Sequence, residues 1–266
     1  MKDNNILSTE LYVISFRYIT IYHLVFGYIN VYSWMSVHTT YPSLYHDIMS
    51  AHEINTRLII VEGLPGSGKS TTAAMVAAEL ETRGKDVVCV DEGAANHPAD
   101  VGDYDFPDFA SERATILDTW RAFAAHAEPD TTYVFNCVLL QNPMCETMMR
   151  FGMSEDESRQ YIGDIAAIIA PLHPVVIYID APDAKAAIDG VLEERGDGWL
   201  NAVIDYHASQ GYGKAHGLRR YEGYIACLEE RRNRELRILR SLSMDSHIIA
   251  PLSDAERISA LVDSIG

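Results

Sequence analysis

The sequence predicts an α/β fold, a parallel sheet covered by helices on both faces, and three observations predict it. Five short apolar runs alternate with stretches of helical spacing, the pattern of parallel strands joined by helical crossovers. The first run, Leu58-Ile-Ile-Val61, is apolar without alternation, as a strand buried on both faces must be. The chain has 266 residues, enough for one such domain with a large core and too few for two full ones.

In chain order, the first strand is expected over Arg57 to Glu62, followed by a Gly-rich turn. Ser70 to Arg83 carries Ala73, Ala74, Val76, Ala77 and Leu80 at helical spacing, with Gly84 as its stop. Val87 to Val90 is a second strand ending in Asp91-Glu92, and Gly93 to Asp108 is a loop holding four aspartates. A helix is expected over Ser111 to His126 and a third strand over Tyr133 to Leu140. Ser154-x-x-Glu157 is a capping box, opening a helix that ends before Pro171. Val175 to Ile179 is the fourth strand, and a helix after Asp180-Ala-Pro182 runs to about Arg195. Gly196 to Gly217 reads as a polar Gly-rich region. A charged helix covers Tyr221 to Leu242, with a fifth strand over His247 to Ala250 and a final helix over Asp254 to Ile265.

Composition excludes some functions. The net charge is -17, and a broad nucleic-acid surface needs clustered Lys and Arg, so no nucleic-acid partner is expected. Binding one nucleotide needs only a local nest of amides and a few cations. Cys89, Cys137, Cys145 and Cys227 are scattered with no C-x-x-C pair, which indicates neither a zinc site nor a disulfide framework. Reduced thiols in a cytoplasmic protein are the plain reading.

The first 50 residues contain no alanine, which is abundant from Ala51 onward. The chain is accordingly divided into a segment 1–50 and a domain 51–266. Residues 11–37 are largely apolar, long enough to cross a bilayer but interrupted by Arg17, His23 and Asn30. The segment reads as a membrane anchor, a packed extension, or a poorly ordered leader with Met49 as the true start; membrane contact is not the favoured reading.

Gly63-Leu64-Pro65-Gly66-Ser67-Gly68-Lys69-Ser70 matches G-x-x-x-x-G-K-[ST] in full. It follows an apolar strand and opens an amphipathic helix, the context this phosphate loop requires. The glycines allow a tight turn with inward N–H groups, and the helix N-terminus adds positive partial charge. Lys69 is expected on the β and γ phosphates and Ser70 on Mg²⁺; Thr71 completes the binding set. ATP is the expected donor, with GTP left open.

Ligands of open parallel sheets bind at the C-terminal strand edge, where Asp91-Glu92 lies. Val87-Val-Cys-Val-Asp91-Glu92 formally resembles a Walker B run, but stands early for one. One carboxylate is expected to take or orient the proton of an attacking hydroxyl, with Glu92 preferred over Asp91, and Asp91 expected near the metal. A solvated pair of strand-end acids is the plain alternative. His97 and Asp100, on the loop beyond, are candidates for an acceptor hydroxyl, against a surface loop histidine. Asp103, Asp105 and Asp108 with Tyr104, Phe106 and Phe109 read as a lid over the acceptor or as a solvated acidic loop. Asn136 and Gln141, after the third strand, are candidates for recognising a base or sugar, against a capping turn. Arg195 is expected in a lid, where a guanidinium would stabilise charge on a transferring phosphoryl group. Arg219, Arg220, Arg231 and Arg232 are further candidates, the last two set against a solvated helix face with i,i+4 pairs.

Taken together, these residues resemble the nucleoside and nucleotide kinase group of P-loop proteins, the deoxynucleoside kinase and thymidylate kinase relatives. The carrying residues are Ile59 to Thr71, Asp91-Glu92, and Pro174 to Asp183 leading to Glu194-Arg195. The resemblance spans about 57 to 266. It implies the three-layer P-loop NTPase fold with sheet order 2-3-1-4-5, a helical lid over about 185–240, a Mg²⁺ nucleotide donor and often a homodimer. It also implies a loop on the donor base at Ala250-Pro251-Leu252-Ser253. Two departures put the substrate in doubt: Asn136-Cys137 stands where the group shows an acid-Arg pair, and the lid has one clear Arg.

The expected function is therefore transfer of the γ-phosphate to a small-molecule hydroxyl or phosphate, a nucleoside or nucleotide above an antibiotic or sugar. The alternatives are a regulatory NTPase under a protein partner and a nucleotide-binding module without catalysis. No Asn-Lys-x-Asp and no Leu-Ser-Gly-Gly occur, which lowers the GTPase and ABC-type readings.

Overall fold

Leu58–Gly63 forms β1, and every residue of it is buried. The computed structural model describes residues 56–95, 97–101, 106–251 and 255–265. The 1–50 segment with its 11–37 apolar stretch, the lid residues Tyr104, Asp103 and Asp105, and the donor-base residues Leu252 and Ser253 lie outside the described residues.

After β1 come α1 (Lys69–Thr82), β2 (Asp86–Val90), α2 (Phe109–His126) and β3 (Thr131–Asn136). The short α3 (Gln141–Met144) runs directly into a π-helical turn over Cys145–Arg150. Then follow α4 (Glu155–Ile169), β4 (Val175–Ile179), α5 (Ala184–Ala208), α6 (Gly211–Ala215), α7 (Arg220–Leu239), β5 (Asp245–Ile249) and α8 (Ala255–Asp263). The strands are all parallel, in the order β2-β3-β1-β4-β5. This is the three-layer P-loop fold of the kinase-like kind, with β1 central.

The pleat of β1 explains its lack of alternation. Ile59 and Val61 pack with Ala73, Val76 and Leu80 of α1 and with Ile258 and Val262 of α8. Leu58 and Ile60 face the larger layer built on α2, α4, α5 and α7. Glu62 continues that second face, wholly buried.

Three expectations change. The third strand stops at Asn136 rather than Leu140, because Cys137 has φ 68 and turns the chain out of the sheet. The helix expected to end near Arg195 continues into the polar Gly-rich region. α5 breaks only at Gly196 (φ 77, ψ 173) and resumes through Ala208, since Trp199, Leu200, Val203 and Ile204 pack against the core at helical spacing. Arg231 does not face solvent: it is 2% exposed and paired at 3.1 Å with the buried Glu235. Arg232 is half-buried against Asp180. The Ser154–Glu157 capping box is present with both reciprocal bonds, and among the described residues all four cysteines are free. No helix among the described residues is long and apolar enough to cross a membrane.

Candidate functional site

β1 delivers the chain at Gly63 into a loop packed between β4 and α5. Gly63 has φ 143, and a Cβ there would sit 2.5 Å from the Ile179 carbonyl oxygen. Gly66 has φ 79, and a Cβ would sit 2.2 Å from the Ala187 carbonyl oxygen. Above Gly68 (φ 90) there is no atom within 4 Å. The Ser67 N–H donates to the Leu64 carbonyl at 3.1 Å, and Lys69 Nζ donates to the same oxygen at 2.8 Å. That carbonyl holds the ammonium over the loop, with the lysine 8% exposed. The first turn of α1 carries no acidic side chain, so its positive end is unneutralised and favours phosphate. Leu64 and Ser67 are buried in the loop's floor. Pro65, Gly66, Gly68, Lys69, Ser70 and Thr71 line the rim of a cavity of about 920 Å³. The arrangement is a nucleotide phosphate site.

Asn136 joins two of the expected residues. Its Nδ2 donates to Ser70 Oγ at 2.8 Å and to Asp91 Oδ1 at 3.0 Å. One amide at the end of β3 thus draws together a P-loop hydroxyl and a strand-end carboxylate. Both are hard oxygen donors, the type Mg²⁺ takes beside phosphate oxygens and water, so the residues present fit such an ion.

Glu92 has a different partner. It lines the cavity, and its Oε1 accepts Gln141 Nε2 at 2.8 Å. The two adjacent acids are therefore held by different amides, Asp91 by Asn136 and Glu92 by Gln141. Asp100 also lines the cavity, its carboxylate accepting the N–H groups of Val101 at 2.8 Å and Gly93 at 3.4 Å.

His97 does not join the site. It is 6% exposed, its ring tilted against Phe135 with centroids 4.6 Å apart and its Nδ1 accepting the Ala99 N–H, and it is not among the residues lining the cavity. Burial lowers its pKa, against the pull of Asp100. Arg195 lines the cavity from α5, one residue before the Gly196 break. It is exposed, with its guanidinium 5.4 Å from the Trp199 ring centre.

The residue that sequence reasoning passed over is Glu62. Its Oε1 accepts the N–H groups of Leu139 and Leu140 at 2.7 and 2.8 Å, and its Oε2 accepts that of Gln141 at 3.1 Å. A carboxylate at the last core position of β1 thus caps the turn that carries Gln141, and through it Glu92. Burial pushes Glu62 up to about 7 against the pull of the three N–H donors, with buried Glu235 adding to the rise. The only local signal was an acid ending an otherwise apolar run.

The same cavity is also lined by Phe106, Ile116, Val138, Tyr161, Trp199 and Val203, and by Tyr206, His207, Tyr224 and Arg231, of which Tyr224 and Arg231 are almost wholly buried.

The family described as "Chromatin associated protein KTI12" matches residues 57–115, the stretch from β1 through the P-loop and β2 to the start of α2. Solved structures similar to this chain include Chaetomium thermophilum Kti12 in complex with ADP-AlF3, at 17% identity, with 78% of this chain and 96% of that chain covered and a TM-score of 0.42. Another is deoxyadenosine kinase from M. mycoides with bound dATP, at 16% identity, with 78% of this chain and 97% of that chain covered and a TM-score of 0.41. No curated protein matches the chain.

Proposed function

We propose that this chain is a P-loop phosphotransferase that moves the γ-phosphate of ATP to a hydroxyl or phosphate of a small molecule, with nucleosides and nucleotides as the favoured acceptor class. The observation that carries this reading is a shared cavity: one volume is lined both by Lys69, Ser70 and Glu92 and by a chamber of aromatic side chains, Phe106, Tyr161, Trp199, Tyr206 and Tyr224. A site that only hydrolyses a nucleotide needs no such chamber. In this reading Lys69 and the amides of Gly66 to Ser70 bind the phosphates. A magnesium ion held by Ser70 and Asp91 would neutralise charge on the β and γ oxygens. Glu92, oriented by Gln141, takes the proton of the attacking hydroxyl. Arg195 moves onto the transferring group from α5, and Asp100, Asn136 and Gln141 line the acceptor's path. The pairing of two copies is not needed for any of these roles.

A regulatory NTPase is the second reading. The family match supports it, but covers only the donor half and ends at residue 115, short of most of the chamber. The test is ADP release by the full chain with Mg²⁺ and ATP, against a panel of nucleosides, nucleotides, sugars and antibiotics. Stimulation by one class is expected; release indifferent to every acceptor but raised by a protein partner would replace the kinase with the switch.

A further inference from the structure

We infer that the part of the cavity lined by Arg231, His207 and Tyr224 is a recognition subsite for an uncharged planar ring bearing a hydrogen-bond acceptor, with Arg231 as its specificity-determining residue and His207 as its second polar contact. The inference rests on the acceptor chamber proposed above.

Arg231 is 2% exposed and yet lines the cavity. Its Nε lies 3.1 Å from Glu235 Oε1 and its Nη1 donates to Cys145 Sγ at 3.2 Å. Its Nη2 has no hydrogen-bond partner among the described residues. A buried guanidinium N–H left without a partner is costly and uncommon, and one on a cavity wall is placed to meet a ligand. His207 Nδ1 on the same wall is likewise buried and unpartnered among the described residues. The imidazole lies near-parallel to the Tyr224 ring at 5.8 Å and edge-on to Tyr206 at 5.0 Å, so packing holds the plane of the ring. Tyr178 donates its hydroxyl to Glu235 Oε2 at 2.7 Å, which fixes the carboxylate and with it the guanidinium. The subsite is pre-organised by groups that do not touch the ligand.

Charge selects the class. Glu235 already balances Arg231, and the buried Glu62 lies close enough to feel Glu235. Burial and the neighbouring Arg231 keep His207 neutral at pH 7, its pKa lowered to about 4. Asp100, Glu112 and Glu146 line the same chamber, with Arg150 bridging Glu112 and Glu146 at 3.6 and 2.8 Å. A second phosphate would bring negative charge among these carboxylates, which costs affinity in a low-dielectric site. An uncharged ring carrying a carbonyl or ring nitrogen meets aromatic walls and one charged donor instead.

The experiment is calorimetric titration of the full chain, saturated with Mg²⁺ and ADP so that no turnover occurs, with the common nucleosides and their 5′-monophosphates. Expected is binding by at least one nucleoside, tighter than its monophosphate. Arg231→Lys keeps the charge beside Glu235 but removes the fork, and should weaken that nucleoside about tenfold or more with ADP affinity unchanged. His207→Phe keeps the stack on Tyr224 without Nδ1 and should weaken it several-fold; it decides alone if the Arg231 variant no longer binds ADP. Nucleoside affinity unmoved by the folded variants, monophosphates binding more tightly than nucleosides, or no nucleoside binding would each overturn the subsite. Arg231-dependent binding without acceptor-stimulated ADP release would instead uphold it and remove the phosphotransferase reading.

Discussion

The carboxylate of Glu62 accepts the backbone N–H of Gln141 at 3.1 Å, across 79 residues of chain. Gln141 Nε2 then donates to Glu92 at 2.8 Å. The last core residue of the central strand therefore sets, two bonds away, the carboxylate over the cavity.

That position makes stability depend on pH. Burial raises Glu62 from 4.5 to about 7, so between those values the native chain binds a proton that the unfolded chain has released. Stability contributed by the protonated form is fully present below pH 4.5 and is lost as pH rises through 7, an effect on the order of 3 kcal/mol. Glu62→Gln keeps Oε1 as an acceptor for two of the N–H groups and removes the titration. Urea denaturation at pH 5 and pH 8 is expected to show this fall in the wild type and most of it gone in the variant. An equal fall in both would assign the titration to another group.

The roles of the adjacent acids separate in kinetics. Glu92→Gln keeps a partner for Gln141 but cannot take a proton, and kcat should drop about 10²–10⁴-fold with little change in ATP affinity. Asp91→Asn should instead raise the Mg²⁺ concentration needed for half-maximal rate. The reverse assignment would follow if the Asp91 variant lost kcat at saturating Mg²⁺ while the Glu92 variant did not.

Asn136 carries a prediction of its own, because its single amide holds both Ser70 Oγ and Asp91 Oδ1. Asn136→Ala leaves the two oxygens to drift apart, and losing a hydrogen bond that holds metal ligands in place weakens metal affinity by about 10–100-fold. Titration of nucleotide-dependent activity with Mg²⁺ should show the shift. An unchanged Mg²⁺ dependence would mean that the amide only stiffens the strand end.

The parts legible in the sequence are those whose meaning is local. β1, the P-loop, the Ser154–Glu157 cap and β4 each follow from residues within one turn or one strand, and each stands where the pattern puts it. The rest depended on contacts between distant segments. Glu62 is an ordinary strand-end acid until the chain returns at Leu139 to Gln141. The spacing of Arg231 and Glu235 is that of a solvated helix pair, and only packing against Cys145 and Tyr178 makes it a buried one. His97 looked available on a polar loop but is drawn under it by Phe135. The sequence pattern ends the helix near Arg195 because the break at Gly196 is real, while Trp199 to Ile204 restore the helix beyond it.

Two P-loop glycines should fail in different ways. Gly66 and Gly68 both have positive φ, so alanine strains the backbone at either, by about 1–2 kcal/mol. At Gly66 the new methyl also meets the Ala187 carbonyl oxygen at 2.2 Å and Val191 Cγ2 at 2.8 Å, and backbone cannot give way as a side chain can. Gly66→Ala must push α5 off the loop, adding about 1–3 kcal/mol of overpacking, and α5 carries Arg195 and Trp199. At Gly68, which lines the cavity, the methyl points into space with no atom within 4 Å. Gly68→Ala should therefore lower the melting temperature by the strain alone but lose most nucleotide affinity. Gly66→Ala should show the larger drop in melting temperature. Thermal melts with and without Mg²⁺ and ADP separate the two; equal melting temperatures for both variants would mean that α5 is not seated against the loop in solution.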